Sequence, residues 1–386
     1  MRNHAPLPLL ASAALLLASC GDSSSSSSNG EGGNGDGSLP VPSASIAPWP
    51  GTAVAAYTLI ADDFCGGLAG QTHADTMMAN RHMGMAFGAM VGSCDDAAWA
   101  QARQMVSRGH EIINHSWSHM CGTTVERCGS GPTYGPEAFD QEYGRSTQGI
   151  EQNVGVRPTF FIFPYDESTD TARAYLKGLG YLGSRTGEKL KLNGDVFDPF
   201  LPNFDVNWPE GQKAGMQQWG FVTGLTDALI AQGGGWGIRE IHGVNDGWGP
   251  IALDSMRAHA DELKRLVDAG LLWVAPPSEV IKYHDQRNHY GVTVAAANDT
   301  AASALSNVYY RIDLTGEPLD SRYDGRPLTI VLSGIETSAS RLRVEQGTEV
   351  WLYHSPSPIV PEDTIRVEFK PGAGPMTVRP VERYTP

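Results

Sequence analysis

The sequence predicts an α/β domain built on parallel strands, followed by a small antiparallel β-sandwich. Within residues 51–290, short runs of β-branched and aromatic residues alternate with amphipathic segments, and this alternation favours parallel strands joined by helices. From about Gly291 the pattern changes to short apolar runs separated by turn residues, which is typical of a sandwich. The formal net charge of -15 argues against nucleic acid or an anionic membrane surface as the main partner.

Residues 1–19 have the form of a signal peptide. Arg2 precedes a short apolar run that ends in Leu17-Ala-Ser-Cys20, and this ending resembles a bacterial lipobox. We therefore expect Cys20 to carry lipid and to attach the exported protein to a membrane; the alternative is an ordinary signal peptide with an incidental cysteine. Gly21 is not the aspartate associated with inner-membrane retention. The expected location is the cell envelope, at the outer membrane or the cell surface.

The composition divides the rest of the chain into three segments. Residues 20–50 are rich in Ser, Gly and Pro, which predicts a flexible tether without a core. Residues 51–290 form the predicted α/β domain, and residues 291–386 form the predicted β-sandwich. The sandwich shows no clear catalytic constellation, so its expected role is to bind glycan, to contact a partner or to cap the first domain.

Each strand of the α/β domain is predicted from a short apolar run that ends at polar or turn residues. These strands cover 53–61, 83–91, 110–114, 159–163, 181–184, 236–241 and 271–274. The segments between them predict helices, one of which is capped by Asp95 and stopped by Gly109. The helices cover 75–82, 95–108, 137–153, 169–179, 216–232, 253–268 and 278–286, and a long surface loop covers 188–210. The sandwich strands cover 308–312, 328–332, 341–344, 350–353, 364–369 and 376–378.

Four cysteines follow Cys20, and an even number in an exported protein indicates two disulfides. They are Cys65, Cys94, Cys121 and Cys128. Three pairings are open; the one that joins Cys65 to Cys94 and Cys121 to Cys128 would brace two strand ends. A cysteine metal site is the disfavoured alternative, because no CxxC spacing is present.

Polar residues collect where the predicted parallel strands end, which is where such folds carry their chemistry. These residues are Asp62, Asp63, His115, His119, Tyr165, Arg185 and His242. Two histidines at i and i+4 can face one cation, and a zinc-type site usually takes a third protein ligand and leaves one position for water when it is catalytic. The adjacent aspartates are the obvious source of that ligand.

Four short segments resemble, in order, the motifs of the polysaccharide deacetylase family, the chitooligosaccharide deacetylase homology domain of carbohydrate esterase family four. The segments are Asp62-Asp63, His115-Ser-Trp-Ser-His119, Pro164-Tyr165 and Ile238-Arg-Glu-Ile-His242. The resemblance covers about residues 52–290. The histidine motif together with the double aspartate is specific, whereas the later motifs gain weight from their order.

The resemblance implies a distorted, incomplete β/α barrel and one divalent metal ion, commonly zinc. The implied metal ligands are Asp63, His115 and His119. It also implies that Asp62 is the general base, that His242 is the general acid for the leaving amine, and that the backbone amide of Tyr165 helps to hold the oxyanion. These residue types suit that chemistry, since a carboxylate can take a proton from water and a histidine can supply one near neutral pH.

The chain departs from the family pattern at two places. The family usually has an arginine just before the proline-aromatic pair, and none precedes Pro164-Tyr165 here. From strand order alone, we expect Arg185 to supply the missing cation to Asp62. The family's later motif of an aspartate with a nearby tryptophan is matched at best by Asp205-Val-Asn-Trp208.

Other residues of the same types are expected to be structural. An Asp-Asp pair by itself is typical of a turn or a helix cap, and an isolated histidine more often forms a structural hydrogen bond. Among the tryptophans, we expect Trp236 and Trp248 to pack in the interior and only Trp208, in the long loop, to stack on a sugar ring.

The predicted function is metal-dependent deacetylation of an acetylated polysaccharide or oligosaccharide by a lipid-anchored exported enzyme. N-acetyl groups of an amino-sugar polymer are the first expected target, and O-acetyl esters of xylan or another polysaccharide are the second. The rival from another class is a non-catalytic glycan-binding lipoprotein. Such a protein would be expected to lose Asp62 or His242, and both are present.

Overall fold

The structure is a computed structural model that describes residues 42–122, 128, 131–207, 219–298, 308–323, 326–334, 339–354 and 364–383. The predicted signal peptide, Cys20 and the tether as far as residue 41 lie outside these ranges, as does Trp208. Within the described ranges, no helix combines the length and the apolar character needed to cross a bilayer.

The N-terminal part of the described chain belongs to the folded unit. Strand β1 (Ser43–Ile46) runs antiparallel to β12 (Leu328–Ser333), and Trp49 is completely buried against Trp273 and Tyr283. The predicted tether is therefore wrong over its last residues. The composition of the predicted tether does not indicate a strand, because β1 has no apolar run. The strand forms because the backbone of β1 pairs with β12, which lies far along the sequence.

The α/β domain is built on parallel strands in the order β6-β5-β4-β3-β2-β8-β7, with β9 also paired to β2. The strands are β2 (Ala55–Phe64), β3 (Ala86–Ala89), β4 (Glu111–Asn114), β5 (Phe160–Ile162), β6 (Gly183–Arg185), β7 (Asp205–Val206), β8 (Gly235–Ile241) and β9 (Leu272–Val274). Among the described residues, no strand ladder joins β6 to β7. This is the incomplete barrel that the resemblance implies.

Helices connect these strands, and the last helix leads from β9 to the C-terminal sheets. They are α1 (Gln71–Ala79), α2 (Asp96–Ser107), α3 (Ser146–Val154), α4 (Asp170–Gly178), α5 (Gly224–Ala231), α6 (Leu253–Asp268) and α7 (Pro277–His289). The predicted cap is present, since the Asp95 side chain accepts a hydrogen bond from the Ala98 N–H. The predicted helix over 137–153 is divided, because a π-helical turn, Asp140–Arg145, precedes α3.

Strand β2 is the centre of the barrel. It pairs with β8 along Ala55–Ala61, and its other edge pairs first with β9 and then with β3. Its residues are almost all buried, which explains why the run is apolar on both faces instead of alternating. Strand β7 lies inside the predicted long loop and was not foreseen, because two residues give no periodic signal.

The C-terminal part consists of two antiparallel sheets. One has the order β1-β12-β15 and the other the order β10-β11-β16-β13-β14. The remaining strands are β10 (Gly291–Asn298), β11 (Val308–Thr315), β13 (Ala339–Gln346), β14 (Glu349–His354), β15 (Thr364–Phe369) and β16 (Met376–Arg383). Apolar residues of both sheets share one core with residues of the barrel, Tyr283 among them. The predicted fold class, a parallel α/β domain followed by a small antiparallel β domain, is confirmed.

Candidate functional site

One cavity of about 420 Å³ lies at the carboxyl ends of the barrel strands. All seven residues that the sequence singled out line it: Asp62, Asp63, His115, His119, Tyr165, Arg185 and His242. They come from five different strand ends, so the parallel order of the sheet is what brings them together.

A backbone irregularity lets both adjacent aspartates face this cavity. Consecutive strand residues normally point to opposite sides, but the β2–β3 register shifts between Ala61 and Phe64. Within this bulge Asp63 has a φ of 61°, in the left-handed region that few residues other than glycine adopt. As a result, Asp62 contacts one set of partners and Asp63 contacts another.

Asp63 lies between the two histidines of the loop after β4. Its Oδ1 is 3.3 Å from Nε2 of His115 and 3.3 Å from Nε2 of His119. The Nδ1 of His115 donates to the carbonyl of Ile162 at 3.0 Å, which leaves Nε2 as the nitrogen that faces the cavity. One ligand atom from each of the three side chains lies within 4.8 Å of the other two, and Asp63 Oδ1 is buried without a well-formed hydrogen bond to the described residues.

The charges in this triad favour metal-binding protonation states for two of the three side chains. Burial raises the pKa of Asp63, but the contact with His115 and the neighbouring histidine charges outweigh it and hold this pKa below its usual value. Burial and the adjacent His115 lower the pKa of His119 to about 4, so this imidazole is neutral at pH 7. For His115, burial is outweighed by Asp63 and Asp62, and the pKa is raised. An anionic carboxylate and neutral imidazoles are the forms that bind a divalent ion.

Asp62 is held by a buried guanidinium. Arg185 donates to its Oδ1 at 2.7 Å and to its Oδ2 at 2.6 Å, which is a two-pronged pair. The same guanidinium lies 2.7 Å from Asp166 and 3.1 Å from Glu240. Ligand atoms of Asp62, Glu240 and His242 also lie within 4.8 Å of one another, but the arginine already supplies a cation to this second cluster.

Glu240 lies between Arg185 and the histidine after β8. Its Oε1 is 3.8 Å from Nδ1 of His242, whose Nε2 is 3.7 Å from Asp63 Oδ2. Burial raises the pKa of Glu240 well above its usual value; Arg185 opposes this shift, and the nearby aspartates add to it. A buried carboxyl group with a raised pKa therefore lies behind the histidine.

Two exposed aromatic rings border the cavity. Tyr165 and Asp166 both have a φ of 60°, and this tight turn directs the tyrosine ring toward His119, at 5.2 Å between ring centres. Trp248 lies 5.2 Å from the ring of His242, and 38% of its surface is exposed. The expectation that Trp248 packs in the interior is therefore wrong, whereas Trp236 is completely buried as expected.

Three cross-links fix the strand ends around the cavity. The side-chain amide of Gln71 donates to the backbone carbonyls of Asp62 and His242, which ties the end of β2 to the end of β8. One disulfide joins Cys65 to Cys94, and the other joins Cys121 to Cys128. Of the three pairings left open by the sequence, this is the one that braces the site.

The sequence did not single out the residues that support this site. Glu240, Lys189, Asp166, Trp248 and Gln71 were missed. A signal existed only for Glu240, because a charged pair in the otherwise apolar strand β8 requires a buried partner. The aspartate proposed from Asp205-Val-Asn-Trp208 pairs instead with Arg239 at 2.6 Å and does not line the cavity.

Residues 71–183 match the profile of a family described as polysaccharide deacetylase. This stretch includes His115, His119 and Tyr165, whereas Asp62, Asp63, Arg185 and His242 lie outside it on either side. A comparison with curated proteins gives no match.

Similar solved structures include three bacterial enzymes. A family 4 acetyl xylan esterase from Clostridium thermocellum, solved with cobalt, is 18% identical with a TM-score of 0.38, over 58% of this chain and 89% of that one. The peptidoglycan deacetylase PdaC from Bacillus subtilis is 20% identical with a TM-score of 0.39, over 62% and 95%. A family 4 carbohydrate esterase from Streptomyces lividans, solved with acetate, is 19% identical with a TM-score of 0.33, over 57% and 91%.

We expect a large loss of stability when the guanidinium of Arg185 is removed from among Asp62, Asp166 and Glu240. Arg185→Ala would leave three carboxyl groups buried together, and we expect the free energy of unfolding to fall by about 3–5 kcal/mol. Chemical denaturation measures this loss. Arg311→Ala is the control, because Arg311 pairs with Asp313 on the surface and its removal should leave the free energy of unfolding almost unchanged. Equal losses in the two variants would contradict the account.

Proposed function

We propose that this protein removes acetyl groups from a carbohydrate with the help of one divalent ion, and its match to the polysaccharide deacetylase profile over residues 71–183 supports this proposal. The observation that carries the proposal is the placement of Asp62, clamped by Arg185, next to the triad of Asp63, His115 and His119. This geometry supports Asp62 as a proton acceptor beside three side chains of types that bind metal ions.

The triad suits a divalent ion, and Zn²⁺ is the proposed one. Two imidazole nitrogens and one carboxylate oxygen are a common donor set for catalytic zinc and leave a coordination position free. The buried Asp63 Oδ1, which lacks a well-formed hydrogen bond to the described residues, supports the fit. When bound, such an ion polarises the acetyl carbonyl and makes water more acidic.

The proposed roles follow from the contacts of each side chain. Asp62 takes the proton from the water that attacks the acetyl carbonyl, and Arg185 holds both carboxylate oxygens in place while it does so. His242, across the cavity, gives a proton to the leaving nitrogen as the carbon–nitrogen bond breaks. The backbone N–H of Tyr165 is the proposed donor to the oxygen that becomes negative during the attack.

The shape of the surface supports a sugar chain as the substrate. The exposed rings of Tyr165 and Trp248 border the cavity and can pack against the apolar faces of sugar rings. A second groove of about 910 Å³ shares Asp166 and Lys189 with the cavity, which gives room for further sugar residues. We propose an amino-sugar polymer with N-acetyl groups as the substrate, and the same site could cleave an O-acetyl ester.

Acetate release from acetylated glycans tests the proposal. The chain from residue 21 onward, stripped of metal, should release little acetate, and added Zn²⁺ should restore the release. Asp62→Asn should lower kcat by about 10²–10⁴-fold, because the proton acceptor is lost, and Arg185→Lys should lower it less. The panel contains N-acetylated amino-sugar oligomers and O-acetylated xylan.

Asp320→Asn is the matched control for this assay, since Asp320 pairs with Arg322 on the β domain. It should keep the activity of the wild type. Faster acetate release from O-acetylated xylan than from the N-acetylated amino sugars would show that the preferred substrate is an ester and not an amide. Tight zinc binding with no release from any glycan would favour a non-catalytic glycan-binding protein.

We also propose that lipid on Cys20 anchors the protein in the cell envelope. The proposal is supported by the Leu17-Ala-Ser-Cys20 ending of the apolar N-terminal run. Growth of a bacterial host with labelled palmitate should label the wild-type chain and should not label Cys20→Ala. An unlabelled wild-type chain would contradict lipid anchoring and leave the proposed hydrolysis unaffected.

A further inference from the structure

A buried carboxylate outside the cavity contacts the loop that carries both histidines. Glu142 lies in the π-helical turn Asp140–Arg145, just before α3, and only 4% of its surface is exposed. Single π-helical turns inside helices are often found at functional sites. Here the turn places Glu142 against the loop from His115 to His119.

Glu142 satisfies two of the five backbone N–H groups of this loop. Its Oε2 accepts from the N–H of Trp117 at 3.2 Å and of Ser118 at 3.0 Å, and its Oε1 accepts from the Ser118 hydroxyl at 2.8 Å. The other three N–H groups donate to a β3 carbonyl, to the asparagine at the end of β4 and to a serine hydroxyl within the loop. The whole loop backbone is therefore held by specific acceptors.

This loop needs such support because its backbone is strained. Ser116 has a φ of 69° and His119 a φ of 58°, and residues other than glycine rarely adopt these values. The same π-helical turn makes a second contact with the loop, because the guanidinium of Arg145 lies 4.1 Å from the centre of the Trp117 ring. Without Glu142, the amides of Trp117 and Ser118 would lose their protein acceptor, and the loop would have to shift to pair them with water.

We propose that Glu142 is a positioning residue that holds His115 and His119 in the geometry required for the divalent ion. It acts through the amides of Trp117 and Ser118. The inference rests on the proposed function for the identity of the ion. Because Glu142 holds the loop in place beforehand, ion binding does not have to include the cost of ordering it. Loss of the Glu142 carboxylate should therefore weaken ion binding as well as lower overall stability.

The test is the Zn²⁺ affinity of the full-length protein, measured by competition with a chromophoric chelator at a temperature where circular dichroism shows every apo variant folded. Glu142→Ala should weaken Zn²⁺ binding by about 10–100-fold, as is typical for groups that orient metal ligands. Glu142→Gln keeps one acceptor oxygen and should weaken binding by about tenfold. At saturating Zn²⁺, acetate release by either variant should recover most of its wild-type rate.

Glu151→Ala is the matched control, because Glu151 is exposed on α3 and pairs with Arg157 at the surface. Its Zn²⁺ affinity should stay within about twofold of the wild type. If Glu142→Ala does not fold, Glu142→Gln decides the question alone. Wild-type Zn²⁺ affinity in the folded Glu142 variants, with metal-dependent acetate release intact, would overturn the inference and leave the proposed function standing.

Discussion

The buried guanidinium of Arg185 is the interaction on which the site depends. Three carboxyl groups converge on it, and without this cation their charges would repel one another in one buried region. Because the arginine satisfies both oxygens of Asp62, the neighbouring Asp63 remains available to the histidines. One buried cation thus separates two adjacent aspartates into two different roles.

The site also depends on the loop from His115 to His119, which directs two imidazoles toward one point. The bulge at Asp63, the strained turn at Ser116 and the turn at Tyr165 all store unfavourable backbone conformations around the cavity. Disulfides, the Gln71 amide and the Glu142 carboxylate surround these turns and hold them. The rigid parallel sheet fixes the positions of the side chains that line the cavity, and these cross-links fix their orientations.

The sequence predicted the strand ends well because each apolar run stops at the residue that enters the cavity. It also predicted the contact between Arg185 and Asp62, since the parallel barrel brings the carboxyl ends of β6 and β2 to one cavity although three strands lie between them. Glu142 could not be predicted in this way. A glutamate on a helical segment normally faces solvent, and its partners lie 24 and 25 residues away with no periodic pattern to connect them.

Other errors have the same physical origin. Strand β1 was assigned to the tether because Ser-Ala-Ser-Ile lacks an apolar run, although backbone pairing needs none. Asp205 was matched to a family motif, but its carboxylate is neutralised by Arg239 from the adjacent strand. Sequence patterns report burial and local geometry, whereas contacts between distant polar groups depend on the completed fold.

We propose that one ion binds beside Asp62, at the triad, while Arg185 occupies the neighbouring carboxylate cluster. Anomalous diffraction at the zinc edge, from crystals of the zinc-loaded protein, tests it most directly. We expect a single peak within bonding distance of Asp63, His115 and His119. A peak between Asp62, Glu240 and His242, with the guanidinium of Arg185 displaced, would contradict it.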